Sequence, residues 1–508
     1  MMKRRSFLSS SLLASASLML ASSSSRAAPF GTFPDRARSL LLPENQRVES
    51  VLEIYLYGGL SPWETLYFVP DYGRDNDSFW YQYRDGVVAS DRSNEAALEA
   101  CGLSADAQFD FFANDELGNE VNTGPFAFAL RERADLVDRL RLVVQRHDLL
   151  PHEAAVPYAL TGKKVGQPAM AGLGAHLQRH FADVDAEAGV IRKTPYSYVL
   201  QSAAAVPSDN IAAFVATGLH PGAARPLRIN VDAAARLEQL LVRNGVADQR
   251  DRHDAVVDVA VARYRNKLRF GGAGDPLRAP RFNELAVAAR ALTDVDAIRE
   301  TLDPSLFAAV PGDLCSSGSV DNIPDQSLKL AAHLLTTAQE KARYVCVVDS
   351  GLTVSSGGGG YDTHTDQTLI TARNFTNLWR SLAQVVNAPG EQDPRKIDLE
   401  KTLVILNTEF GRTPTLQEAT GGRNHHPYGY VTAMMGGPVP GRTISGAIDS
   451  LGEASSFATP AENRMAALLA LGIWPYDNGG FVVADHAEPT TEEEGAAVVL
   501  DRVLGVQL

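Results

Sequence analysis

Three short loops in the C-terminal half concentrate the residues that could ligate a cation. Asp362 and His364 stand in Gly360-Tyr361-Asp362-Thr363-His364. Glu409 and Arg412 stand in Thr408-Glu409-Phe410-Gly411-Arg412, and His425 and His426 in Gly422-Arg423-Asn424-His425-His426-Pro427. Carboxylates and imidazoles are the donors that zinc- and manganese-like ions take. On an extended backbone, residues two apart point the same way, so Asp362 and His364 can reach one ion. The competing reading is a capping Asp before a helix that starts near Thr365, with a surface His beside it. Glu409 follows an apolar run, where an unpaired carboxylate is costly. Arg412 is either its salt-bridge partner or a guanidinium that clamps a substrate oxyanion. Adjacent side chains diverge, so one of His425 and His426 is expected to be a ligand and the other to support it or face substrate.

Two N-terminal loops add candidates. Glu64 lies in Gly58-Gly59-Leu60-Ser61-Pro62-Trp63-Glu64, and His147, Asp148 and His152 lie farther along, before Leu160-Thr161-Gly162-Lys163. Ser61 suggests a nucleophile elbow, but Trp63 stands where that pattern requires its second Gly. A Ser–His–Asp hydrolase therefore ranks below a metal site.

The segments that must position these loops are short apolar runs bounded by Gly or polar clusters. Residues 49–57, 140–145, 344–348, 402–406 and 430–435 are expected to form strands of a mostly parallel sheet. Helical periodicity marks 233–244, 255–268, 282–302, 328–343, 367–386 and 460–471. The block at about 232–342 is helix-rich and is expected to be an insertion between strands. Loops at the carboxyl ends of such strands are where α/β proteins place ligand sites. The candidate residues fall mostly in loops of that kind.

The chain has 508 residues and a net charge of −14, which argues against a nucleic-acid partner because phosphate backbones require a basic face. A phosphate or sulfate ester stays compatible, since a bound cation can dominate the local field. Lys3-Arg4-Arg5-Ser6-Phe7-Leu8, then a modest apolar run and Ser25-Arg26-Ala27, form a twin-arginine-type signal over 1–27. No later segment is long and apolar enough to span a bilayer, so a periplasmic or secreted protein without a membrane span is expected. Three cysteines, Cys101, Cys315 and Cys346, do not make a disulfide scaffold. Cys101 and Cys315 are a candidate pair, and Cys346 is expected in the core.

Taken together, these motifs resemble the twin-arginine-exported bacterial family called domain of unknown function 1501. Its most specific string here is Glu409-Phe410-Gly411-Arg412-Thr413-Pro414, and Gly436-Gly437-Pro438-Val439-Pro440-Gly441 resembles the family's closing segment. That family is similar in turn to the alkaline phosphatase and sulfatase superfamily. The resemblance implies a single alkaline-phosphatase-like α/β domain over 28–508, a three-layer sandwich around a large mostly parallel sheet. It implies one or two divalent ions (zinc, manganese or calcium) held by Glu64, His152, Asp362, His364, Glu409, His425 and His426. His152 stands where that superfamily has its nucleophile, and Phe410 where it has a ligand His. His152 is therefore expected to replace the missing imidazole, and His152 and Arg412 are the catalytic candidates. The resulting expectation is an exported metal-dependent hydrolase of small-molecule or polymer-borne phosphate or sulfate esters, using metal-activated water. The alternative is a non-catalytic exported protein of the same fold that acts in surface assembly or binds an exported partner.

Overall fold

The computed structural model describes residues 28–72, 110–201 and 322–507, apart from 168–169, 191, 353–359, 418–420, 478–479 and 489–490. It also describes 226–231 and a few helical positions between 252 and 302. The expected signal over 1–27, Cys101, Cys315 and most of the expected helical insertion lie outside these residues.

The first strand, β1 (Ser50–Leu56), is buried along its whole length. A short hairpin follows, β2 (Asp110–Asn114) against β3 (Glu120–Thr123). Then come β4 (Leu140–Gln145), β5 (Ser197–Gln201), β6 (Leu227–Asn230), β7 (Tyr344–Asp349) and β8 (Thr402–Asn407). The two-residue β9 (Gly411–Arg412) and β10 (His425–His426) form an antiparallel ribbon. The chain then makes β11 (Tyr430–Met435) and β12 (Thr443–Ser445). Among the described residues, eight strands form one sheet in the order β12-β4-β11-β8-β1-β7-β5-β6. All of its pairs are parallel except those of β11, which runs against both β4 and β8.

The strands at 49–57, 140–145, 344–348, 402–406 and 430–435 all form within a residue or so of expectation. Among the helices, α1 (His152–Thr161), α2 (Leu173–Ala188), α3 (Ile323–Thr336), α4 (Gln367–Val385) and α5 (Pro460–Ala470) matter here. The expected 367–386 and 460–471 helices match. The helix expected at 328–343 instead starts at Ile323. There the Asn322 side chain caps Asp325 N–H at 3.1 Å, and Pro324 sits in the first turn.

Strand alternation sorts the core onto both faces of the sheet. Leu52, Ile54 and Leu56 join the apolar faces of α3 and α4, whereas Val51, Tyr55 and Tyr57 join those of α1, α2 and α5. Helices therefore cover both faces, which is why the central strands carry almost no exposed position. Glu53 is a buried charge in mid-sheet. Its carboxylate pairs with Arg464 and accepts from Tyr344 Oη at 2.5 Å and Asn407 Nδ2 at 2.9 Å. Cys346 is fully buried in β7, as expected, and burial pushes its thiol up.

The reversed direction of β11 has a direct consequence for the site. Loops that follow β1, β4, β7 and β8 emerge at the carboxyl edge of the sheet. Because Tyr430 at the start of β11 lies opposite Gln145 at the end of β4, the segment preceding β11 arrives at that same edge. That segment carries His425 and His426.

Candidate metal centre

Four loops meet at this edge and are fastened to one another through their backbones. Gly58 follows β1 with φ +115°, and a Cβ there would lie 2.0 Å from Asp362 N. Only glycine lets the 360–362 turn close onto the strand end. Gly422 does the same for the next loop, since its Cβ would meet the His364 carbonyl at 2.0 Å. Arg423 N donates to Thr363 O at 2.9 Å, Thr365 bridges Gly421, and His425 pairs with Arg412 in the ribbon. The fourth contribution is His152, the first residue of α1, six residues after Arg146 leaves β4.

The convergence point is Asp362 Oδ1. His152 Nε2 lies 3.4 Å from it, His364 Nε2 3.2 Å and His425 Nε2 3.7 Å. His152, Asp362 and His425 each offer a ligand atom within 4.8 Å of the others. His364 Nε2 also lies 3.0 Å from His425 Nε2. The Asp362 carboxylate is held by Arg412 Nη2 at 2.5 Å. Burial opposes its charge, yet His152, His425 and Arg412 together keep it far below the usual carboxylate range.

The histidines are oriented from behind. His425 Nδ1 lies 2.8 Å from Leu150 O and donates to it, so a neutral ring keeps its lone pair on Nε2. Phe410 stacks on the His425 ring at 4.5 Å and lies 4.9 Å from that of His152. The residue that stands in place of an expected ligand thus packs the imidazoles that remain. His152 Nδ1 is 2.9 Å from Glu409 Oε1, and its Nε2 faces Asp362 Oδ1 at 3.4 Å. Burial works against a charge on His152, but Asp362 and Glu409 outweigh it and raise its pKa to about 9. His364 goes the other way. Burial, and then the Arg412 guanidinium, push it down.

The remaining candidates lie elsewhere. Glu64 is fully buried, but Arg423 binds its carboxylate with both Nε, at 2.8 Å, and Nη2; Ser61 Oγ donates to it too. The structure therefore places Glu64 and Ser61 in a structural ion-pair cluster, not beside Asp362. His426 is turned away from His425. Its Nε2 donates to Gly452 O at 2.7 Å, its ring lies 6.3 Å from that of Trp63, and burial lowers its pKa. Arg412 is wholly buried, and its donors are taken up by Gly58 O, Gly59 O, Arg423 O and Asp362 Oδ1. It braces Asp362 and the surrounding turns, with no face toward an incoming anion.

His147 also serves the scaffold. Its Nε2 donates to Glu409 O at 2.6 Å and its Nδ1 accepts from Leu149 N at 3.1 Å. Burial lowers its pKa to about 4.

Two participants escaped the sequence reading. Tyr55 Oη reaches Glu409 Oε2 at 3.0 Å from inside β1. Alternation along β1 places Glu53, Tyr55 and Tyr57 on one face, and three polar-tipped residues in a buried strand are the signal that could have found it. Arg423 lies within the Gly422–Pro427 motif, yet nothing local says that its partner would be Glu64.

The fold and these contacts define a doubly covered α/β protein with a histidine–carboxylate centre at the carboxyl edge of its sheet. The chain belongs to the family described as "Protein of unknown function (DUF1501)", which matches it over residues 49–470. No curated protein and no solved structure matches the chain. Among the described residues, no helix is long and apolar enough to cross a membrane.

Proposed function

We propose that the protein is an exported hydrolase of phosphate or sulfate esters that works with a divalent cation held by His152, Asp362 and His425. The observation that carries this reading is the convergence of three imidazole Nε2 atoms, from His152, His364 and His425, on the buried Asp362 Oδ1 at 3.4, 3.2 and 3.7 Å. Tetrahedral zinc with ligands at about 2.0–2.1 Å needs ligand atoms about 3.3 Å apart. The spacings of 3.4 and 3.7 Å from Asp362 Oδ1 suit such an ion. Two imidazoles and one carboxylate favour zinc or manganese over calcium, which prefers an all-oxygen shell.

Bound there, a cation would supply Lewis acidity and bring the pKa of water toward neutrality. The chain's own residues do the rest. Arg412 fixes the Asp362 carboxylate, Leu150 O fixes the His425 tautomer, and Phe410 shields the imidazoles from water. His364 is about one-third exposed, against 18% for His152 and His425, so it is the imidazole best placed to meet a substrate. The ester class and the export route rest on the family resemblance and on the Arg4-Arg5 signal pattern. A chain of the same fold that binds without turnover is the competing outcome.

The test is direct. Protein purified without chelators is expected to carry a cation by elemental analysis. It is expected to hydrolyse p-nitrophenyl phosphate or sulfate when zinc or manganese is present, and His152→Ala to lose both properties. Absence of bound metal together with absence of metal-dependent turnover would overturn the enzyme reading. Bound metal without turnover would leave the binding protein.

A further inference from the structure

Resting on that metal-site reading, we infer that Glu409 is a positioning residue that orients His152, and not a ligand of the cation. The carboxylate has no free side. Oε1 accepts from Gly58 N at 2.8 Å and faces His152 Nδ1 at 2.9 Å; Oε2 accepts from Tyr55 Oη at 3.0 Å. Thr408 Oγ1 closes the remaining approach at 3.4 Å. The side chain is fully buried. The close contacts come from the turn after β1, from inside β1 and from the first residue of α1.

The orientation decides the role. Glu409 lies on the Nδ1 side of the His152 ring, whereas Asp362 and His425 lie on the Nε2 side. A carboxylate that accepts from Nδ1–H forces the tautomer whose Nε2 lone pair points at the cation, and it raises the basicity of that nitrogen. Glu409 acts on His152 as Leu150 O acts on His425, but with a full charge. With Glu64 bound to Arg423, His426 bound to Gly452 O and Glu409 behind His152, the nearest candidate ligands are His152, Asp362, His425 and His364. That set suits one cation per chain, not two.

Two measurements test this. The first is zinc stoichiometry and affinity in the wild type, Glu409→Gln and Asp362→Asn. Loss of an outer-shell partner typically costs about 10–100-fold in metal affinity. Glu409→Gln is expected to keep one zinc with a loss of that order, while Asp362→Asn retains none. Zinc lost from Glu409→Gln as completely as from Asp362→Asn would make Glu409 a ligand and overturn the inference. A wild type holding two zinc ions would overturn it as well.

The second measurement needs no metal. Ring ¹⁵N shifts of His152 in the metal-free protein, above its titration, are expected to show the Nδ1–H tautomer in the wild type and a mixture in Glu409→Gln. An unchanged tautomer would overturn the positioning role. If the wild type bound no zinc but the tautomer shifted as expected, the metal reading would fail while the orienting role of Glu409 stood.

Discussion

Arg412 and Arg423 are both wholly buried, eleven residues apart, and each grips one buried carboxylate. Around Arg423 and Glu64 the arrangement is closed. Glu64 meets two guanidinium nitrogens and a serine hydroxyl, and Arg423 Nη1 donates to Thr413 O and Pro414 O. Around Arg412 and Asp362 it is open. The same kind of ion pair is ringed by three imidazole nitrogens. Buried charge is tolerated only when paired and hydrogen-bonded. A buried pair on which several imidazoles converge points to a ligand, while a pair saturated by its own neighbours points to a strut.

The largest test of this contrast is a matched pair of substitutions. Removing one partner of a buried ion pair typically costs about 3–5 kcal/mol. Asp362→Asn and Glu64→Gln are therefore both expected to lower stability by that order in denaturant titrations. Only Asp362→Asn should abolish cation binding, and Glu64→Gln protein that still folds should retain it. Loss of metal from folded Glu64→Gln would merge the two centres into one site.

Acid sensitivity comes next. The His147 pKa is lowered from 6.5 to about 4, so the unfolded chain binds a proton before the folded one does. Its contribution is fully present above pH 6.5 and is lost as pH falls toward 4, which amounts to about 3 kcal/mol. His147→Gln should flatten that part of the stability–pH profile. An unaltered acid slope would mean that the ring is not held neutral by burial.

The smallest effect is expected at His426. Replacing it with Asn should cost about 1 kcal/mol through its bond to Gly452 O and leave cation affinity unchanged. A large fall in affinity would return His426 to the ligand set.

Much of this was legible from local pattern. Apolar runs bounded by Gly and polar residues placed β1, β4, β7, β8 and β11 of the sheet, but not β5, β6 or β12. The motifs around Asp362, Glu409 and His425 named loops that the structure brings together, because loop residues at strand ends are free of the alternation that packing imposes. That His152 joins the C-terminal cluster was implied by the family resemblance and not by local pattern. What stayed illegible was pairing. Glu64 and Glu409 are both acids near strand ends, and nothing in their flanking residues shows that one turns to Arg423 and the other to the back of His152.

The sequence by itself determined the elements, the donor types and the glycines at 58 and 422 that allow loops to touch. These depend on periodicity of two or 3.6 residues and on backbone freedom, both local properties. Tertiary structure alone decided the direction of β11, which carries His425 to the carboxyl edge, and the face that each imidazole presents. Strand direction and side-chain partnership are set by packing between residues hundreds of positions apart, as with Gly58 and Asp362 or His152 and Glu409. No window of local sequence contains both members of such a pair.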